Sequence, residues 1–116
     1  MSQEDLDLVR GTLDVLVLKT LTWGSRHGYG IAKWIRDTSR AELQVDDGAL
    51  YTALHRLEER GWIKGEWGLT EQQRRAKFYD LTTAGRRELK SRADTWTRYA
   101  EAVFRILGAS HAESAP

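Results

Sequence analysis

Proline occurs once among the 116 residues, at Pro116, so no pyrrolidine ring breaks a helix or removes a ladder N–H anywhere in the body of the chain. Such a chain is expected to be mostly helical, and its hydrophobic periodicity agrees. Leu6, Val9, Leu13 and Leu16 recur at helical spacing, while Leu8, Val15, Leu18 and Leu21 fill the opposite side of the same segment. A helix apolar on both sides, here over residues 6–23, has to be buried on both. Gly24 ends it, residues 24–28 read as a turn, and residues 29–40 form a second helix with Ile31, Trp34 and Ile35 on one face. Asp46 and Asp47 stand where an N-cap belongs, ahead of Leu50, Leu54 and Leu57, and Gly61 stands at a C′ position. The spacing predicts a third helix over residues 47–60.

The period then changes. Residues 62–68 and 77–81 are rich in aromatic and β-branched types and bracket a polar stretch at 69–76, which predicts a two-stranded hairpin with a long basic tip. Helical spacing returns after Thr83: Leu89, Ala93, Trp96, Ala100, Val103 and Leu107 form a coiled-coil-like seam at alternating four- and three-residue steps. A helix over residues 84–107 is about 36 Å long at 1.5 Å per residue, too long for so small a domain to cover, so part of its stripe is expected to meet another chain. The fold class expected is mainly α with a two-stranded β wing. Residues 1–82 make a winged helix-turn-helix, 83–107 a dimerisation helix and 108–116 a flexible tail, in a domain of ordinary size.

Charge is unevenly spread. Residues 1–59 hold 7 basic and 10 acidic groups (net −3), residues 60–92 hold 9 and 4 (net +5), and residues 93–116 hold 2 and 3 (net −1). The basic middle suits an anionic partner, nucleic acid first, or simply a solvated face. The absence of cysteine removes disulfides, thiolate metal sites and a cysteine nucleophile, and fits a reducing cytosol. No apolar run approaches the roughly 18 residues a membrane span needs, and the first residues are acidic, so a cytoplasmic protein is expected. His27, His55 and His111 are scattered without metal-ligand or triad spacing, and no phosphate-binding glycine motif is present; neither an enzyme, a metal nor a cofactor is indicated.

Three helices, a hairpin and a long helix is the order of a winged helix-turn-helix, whose third helix enters the DNA major groove while the wing touches the backbone beside it. The exposed side of the third helix offers Tyr51, Thr52, His55 and Arg56, and Gly48 with Ala49 lets its start approach the groove. Thr52 and Arg56 stand one turn apart, and Arg74, Arg75 and Lys77 on the wing can neutralise phosphates. Arg86, Arg87 and Lys90 extend the basic surface.

Between Arg10 and Leu107 the chain resembles the PadR family of bacterial transcriptional regulators. The resemblance rests on Arg10-Gly11-Thr12-Leu13, His27-Gly28-Tyr29-Gly30-Ile31, Gly48-Ala49-Leu50-Tyr51 and Leu54-His55-Arg56-Leu57-Glu58. It continues through Gly61-Trp62-Ile63, Glu66-Trp67, Arg74-Arg75-Ala76-Lys77-Phe78-Tyr79, Leu81-Thr82 and Ala84-Gly85-Arg86. The chain looks like the short subfamily lacking a separate C-terminal helical domain. Thr52 stands where the family usually has proline, and Glu71-Gln72-Gln73 where its wing often has Asn or Gly; both departures face DNA, so the operator does not transfer.

The resemblance implies phosphate contacts from Tyr29 and Tyr51, groove contacts from the helix between Gly48 and Arg56, and backbone contacts from Arg74, Arg75 and Lys77. Packing is the other reading of the two tyrosines. It also implies a two-fold homodimer through the last helix with help from the first, here Leu6, Val9 and Leu13 with Leu89, Ala93, Trp96, Ala100, Val103 and Leu107, on an inverted-repeat operator. In some relatives an aromatic residue of the last helix stacks a planar effector, so Trp96 with Ala93 and Ala100 either lines a pore for a phenolic acid or planar drug or packs the dimer. Trp23, Trp34, Trp62 and Trp67 read as core or wing-base residues. The expected function is a DNA-binding regulator, a repressor released by a small aromatic ligand. The alternatives are a protein-interaction adaptor on the same scaffold and a non-specific nucleoid-binding protein.

Overall fold

The computed structural model describes residues 3–110, with side chains from Gly11 onward. Leu6 and Val9, expected at a dimer interface, and the tail beyond residue 110 with His111 therefore lie outside what is described. Helix α1 (Gln3–Thr20) runs into a 3-10 turn over Leu21–Trp23. There follow β1 (Arg26–His27), α2 (Gly28–Thr38), α3 (Asp47–Glu59), β2 (Ile63–Leu69), β3 (Arg75–Leu81) and α4 (Thr83–Gly108). This is the mainly helical winged fold expected, with one addition. Residues 26–27, expected as a turn, form a third antiparallel strand and give the sheet order β1-β3-β2. Arg26 pairs with Tyr79 and His27 with Phe78. Two residues are too few for a period of two to register, and the strand exists because β3 has a second edge to pair. The wing tip is also shorter than expected. Strand pairing continues to Leu69 opposite Arg75, and Thr70 closes the loop by donating its N–H to the Arg74 carbonyl at 2.8 Å.

The core lies where α1, α2 and α3 meet the base of the sheet: Leu13, Val17, Leu18, Leu21, Ile31, Ile35, Leu50, Ala53, Leu54, Leu57, Ile63 and Tyr79 are buried together. Complete burial of a Leu or Ile side chain is worth about 1.5–3 kcal/mol. Leu13 is a correction, because at 3% exposure it is spent within its own chain and leaves nothing to offer a partner. Of the four tryptophans expected in the core or wing base, Trp34 and Trp62 are half-buried, while Trp23 and Trp67 are exposed. A two-residue step reads as an inward strand position but cannot say which sheet face has a layer over it.

Helices α2 and α3 end in the same way but with different residues. After α3, Gly61 takes φ 76°, its N–H reaches the Glu58 carbonyl and the Trp62 N–H reaches Leu57. After α2 the same pair of bonds runs from Arg40 to Asp37 and from Ala41 to Arg36, with Arg40 at φ 56° in the left-handed position that glycine favours. A side chain there costs about 1–2 kcal/mol, partly offset by the unfolded-state freedom glycine adds. Arg40→Gly is therefore expected to stabilise the protein by about 0.5–1 kcal/mol, read as a higher midpoint in thermal denaturation. An unchanged or lower midpoint contradicts the strain.

One hydroxyl joins α3, the wing and α4. Thr82 Oγ1 accepts the Gly85 N–H at 2.9 Å as the N-cap of α4 and donates to the Gly61 carbonyl at 2.7 Å, while the Thr82 N–H reaches the Trp62 carbonyl at 3.1 Å. Gly85 is buried there because no Cβ fits against Trp62. From this anchor α4 runs 26 residues, about 39 Å. Leu89 packs on the core, Ala93, Ala100 and Val103 are half-buried, and Tyr99, Phe104, Ile106 and Leu107 stand exposed, Leu107 at 76%. The predicted seam is thus used inside the chain at its start and left open at its end.

Candidate nucleic-acid interface

Helix α3 starts at Asp46, whose Oδ2 accepts the Ala49 N–H at 3.0 Å, so the cap residue proposed from the sequence is the one used. Tyr51, Thr52 and His55 are exposed on its outer side, Gly48 is exposed at its start, and Ala49 packs inward against the core. His55 Nε2 lies 3.2 Å from Glu59 Oε1. Helix α2 is capped by His27, whose Nδ1 accepts the Gly30 N–H at 3.0 Å, and this cap presents Tyr29 to solvent at 71% exposure. The wing faces both helices. Between them lies a cleft of about 660 Å³ that brings together Tyr29, Tyr51, Arg74, Arg75 and Lys77 with Asp47 at its edge.

The basic residues of this face are not equivalent. Arg74 and Arg75 are exposed, and the Arg75 guanidinium stacks 4.7 Å from the centre of the Trp67 ring. Lys77 Nζ donates instead to Glu58 Oε1 at 2.8 Å, and the other carboxylate oxygen accepts the Gly65 N–H at 3.1 Å. Glu58 thereby ties α3 to both strands of the wing. Arg56, expected to face DNA beside Thr52, is turned round α3 toward α1, where its guanidinium is forked on Asp14. At 100° per residue Arg56 stands about 140° from Tyr51, past the edge of the outer face. With Asp46 and Asp47 at the start of α3, the positive part of the cleft is its wing side.

The Glu58–Lys77 pair makes wing attachment depend on pH. Lys77 holds the Glu58 carboxyl below its ordinary 4.5 against the opposing effect of burial, and Glu58 holds the Lys77 ammonium above its ordinary 10.5. The lowered carboxyl contributes stability above pH 4.5 that is lost as pH falls through its folded value; the raised ammonium contributes below pH 10.5 and is lost as pH rises through its own. Glu58→Gln is expected to lower the melting midpoint by a few degrees at neutral pH and to converge with the parent protein below pH 4.5. Parallel curves down to pH 3 in a thermal-melt series would contradict this assignment. Tyr79, buried behind Lys77, is raised by desolvation.

Sequence reasoning missed Glu58, Trp67 and Asp14. A lone carboxylate inside an otherwise apolar stretch of α1 was a signal that Asp14 needs a cationic partner; nothing in the spacing told that Glu58 reaches the wing. Trp96 is 44% exposed, with its indole N–H 3.3 Å from Thr12 Oγ1. It borders a 440 Å³ hollow between α1 and α4 with Val15, Arg92 and Tyr99, whereas Ala93 and Ala100 do not line that hollow. Among the described residues no group of acidic or histidine side chains could hold a metal ion, and no helix is long and apolar enough to cross a membrane.

The family model described as "Transcriptional regulator PadR-like family" matches residues 17–91, from the last turn of α1 through the wing into α4. The chain belongs to the PadR family. A transcriptional regulator of Clostridium thermocellum has a solved structure similar to this one, with a TM-score of 0.77, 30% identity and coverage of 85% of this chain and 96% of that one. The structure of a PadR family transcription regulator from Clostridium difficile is similar at a TM-score of 0.71 and 30% identity, covering 83% and 98%. An uncharacterised protein of Lysinibacillus sphaericus is 27% identical over 97 residues, 84% of this chain and 89% of that protein. PadR-family proteins are DNA-binding transcriptional regulators, not enzymes. In this PadR-family chain the matched segment contains α2, α3 and the wing entire, the parts that frame the cleft.

Proposed function

We propose that this PadR-family regulator is a repressor that binds an inverted-repeat operator as a homodimer and is released by a small planar aromatic ligand. The observation that carries the DNA reading is the cleft between α3 and the wing, where exposed Tyr29 and Tyr51 face Arg74 and Arg75. Tyrosine hydroxyls and guanidinium groups on one concave surface suit a phosphate backbone, while Thr52, His55 and Gly48 are left for base edges. The homodimer reading draws on the far end of α4, where Tyr99, Phe104, Ile106 and Leu107 all stand exposed among the described residues. Two-fold symmetry would then set two recognition helices about 34 Å apart. The ligand reading draws on Trp96, half-exposed beside a hollow with Tyr99.

The test is fluorescence anisotropy with the protein's own upstream DNA and a scrambled fragment of equal length, each at two salt concentrations. Preference for the upstream fragment that persists at the higher salt is the expected outcome. Equal, salt-sensitive binding to both fragments contradicts it and supports a non-specific binder. A compound from a panel of phenolic acids and planar cationic dyes that releases the parent protein should fail to release Trp96→Ala, while operator binding of that variant is retained. Unchanged release would remove Trp96 from the proposed site.

A further inference from the structure

Asp14 is flanked by Leu13 and Val15 on α1 and is itself 6% exposed, so its carboxylate has to be held by partners. It has two, and they come from different elements. From α3, Arg56 donates Nε–H to Oδ2 at 3.3 Å and Nη2–H to Oδ1. From α4, Arg92 brings Nη1 to 3.7 Å from the same Oδ2. Arg92 is placed in turn by a 2.8 Å bond from its Nε to Glu88 and by the Trp62 ring 4.9 Å away. One buried oxygen is thus shared by the recognition helix and by the helix whose far end carries the exposed apolar residues.

We propose that Asp14 sets how α3 is presented to DNA according to where α4 lies, with Arg56 and Arg92 as positioning residues. The Arg56 fork fixes the roll of α3 because a guanidinium and a carboxylate meet in one plane. Arg92 competes for one of the two oxygens of that fork, and its longer contact is the adjustable one. Four residues beyond Arg92, Trp96 binds α1 through Thr12. A shift of α4 along α1 therefore moves Arg92 relative to Oδ2 and redistributes the carboxylate toward or away from Arg56. Arg56 is the neighbour of His55 and lies one turn from Thr52, both on the outer face of α3. The coupling is reciprocal: DNA that selects one roll of α3 selects one position of α4.

The effect on DNA preference rests on the regulator reading above, so the experiment has two readouts. Arg92→Gln leaves the Arg56–Asp14 fork paired, which protects folding. In the full chain it is expected to lower the preference for upstream over scrambled DNA by about tenfold without changing the salt slope, since Arg92 is not a phosphate contact. It is also expected to speed amide hydrogen exchange across residues 48–56 of α3 by about tenfold. Arg98→Gln, exposed on α4 about 120° round the helix from Arg92, should leave both readouts alone. If Arg92→Gln alters exchange only in α4 and around Trp62, the proposal is overturned, whatever happens to the melting midpoint. A salt slope reduced by about 1 overturns it as well, because Arg92 would then touch phosphate. Should the parent protein show no preference between the fragments, the regulator reading fails while the exchange data still decide the coupling.

Discussion

Replacing Arg74 and Arg75 together by alanine is expected to weaken binding to the upstream DNA by about 10–100-fold at moderate salt and to reduce the slope of log K against log salt by about 2. Each phosphate neutralised by a cation contributes roughly 0.9 to that slope, and among the described residues neither arginine is engaged by a carboxylate. Arg75 is moreover held in place by the Trp67 ring, which lowers the conformational cost of presenting it. Lys77 provides the internal comparison. Its charge is already balanced by Glu58, so Lys77→Ala should change the slope by well under 1 while loosening the wing. The measurement is anisotropy titration at four or more salt concentrations. If the double variant keeps both affinity and slope, the wing is not a DNA contact and a protein-interaction adaptor becomes the better reading.

Gly85→Ala is expected to cost about 3 kcal/mol or more and to lower the thermal midpoint by roughly 10–20 °C. A Cβ at residue 85 falls 2.0 Å from the Trp62 carbonyl oxygen and 2.8 Å from Leu81 Cδ1. The first of these is backbone, and it is the oxygen that accepts the Thr82 N–H, so it cannot swing aside as a side-chain end would. Relief requires α4 to lift from the base of the wing, which breaks the Thr82 link to Gly61 and moves Arg92 from Trp62. Gly108→Ala at the other end of α4, where nothing lies within 4 Å, should have little effect and serves as the control. A change of only a degree or two for Gly85→Ala in circular-dichroism melts would mean that the helix start yields easily.

Much of the fold was legible because the signals concerned were local. Asp46 ahead of an apolar 4–3 repeat and Gly61 behind it mark both ends of α3, and the structure uses both. The end of α2 was harder: Arg40 adopts the left-handed conformation without being glycine, so the residue type does not announce a turn that local backbone bonds to Asp37 and Arg36 close. β1 was not legible at all, since its two residues become a strand only by pairing with Tyr79 and Phe78, some fifty positions away.

The candidate interface divides along the same line. Tyr51, Arg74 and Arg75 could be picked from order and residue type, because the outward faces of an amphipathic helix and of a hairpin tip follow from periodicity, whereas Tyr29 came only from the family resemblance. Arg56 and Lys77 look identical to them in sequence, yet each is claimed by a carboxylate, Asp14 in one case and Glu58 in the other, that is 42 and 19 positions away. By itself the sequence determined the helices, the wing hairpin, both ends of α3 and the distribution of charge, since these follow from interactions within a few residues. Only the tertiary structure decided which cations remain available to DNA, which apolar residues are already spent in the core and which helices share the Asp14 carboxylate. Burial and ion pairing depend on what packs across a surface, and that information is not carried by any one segment.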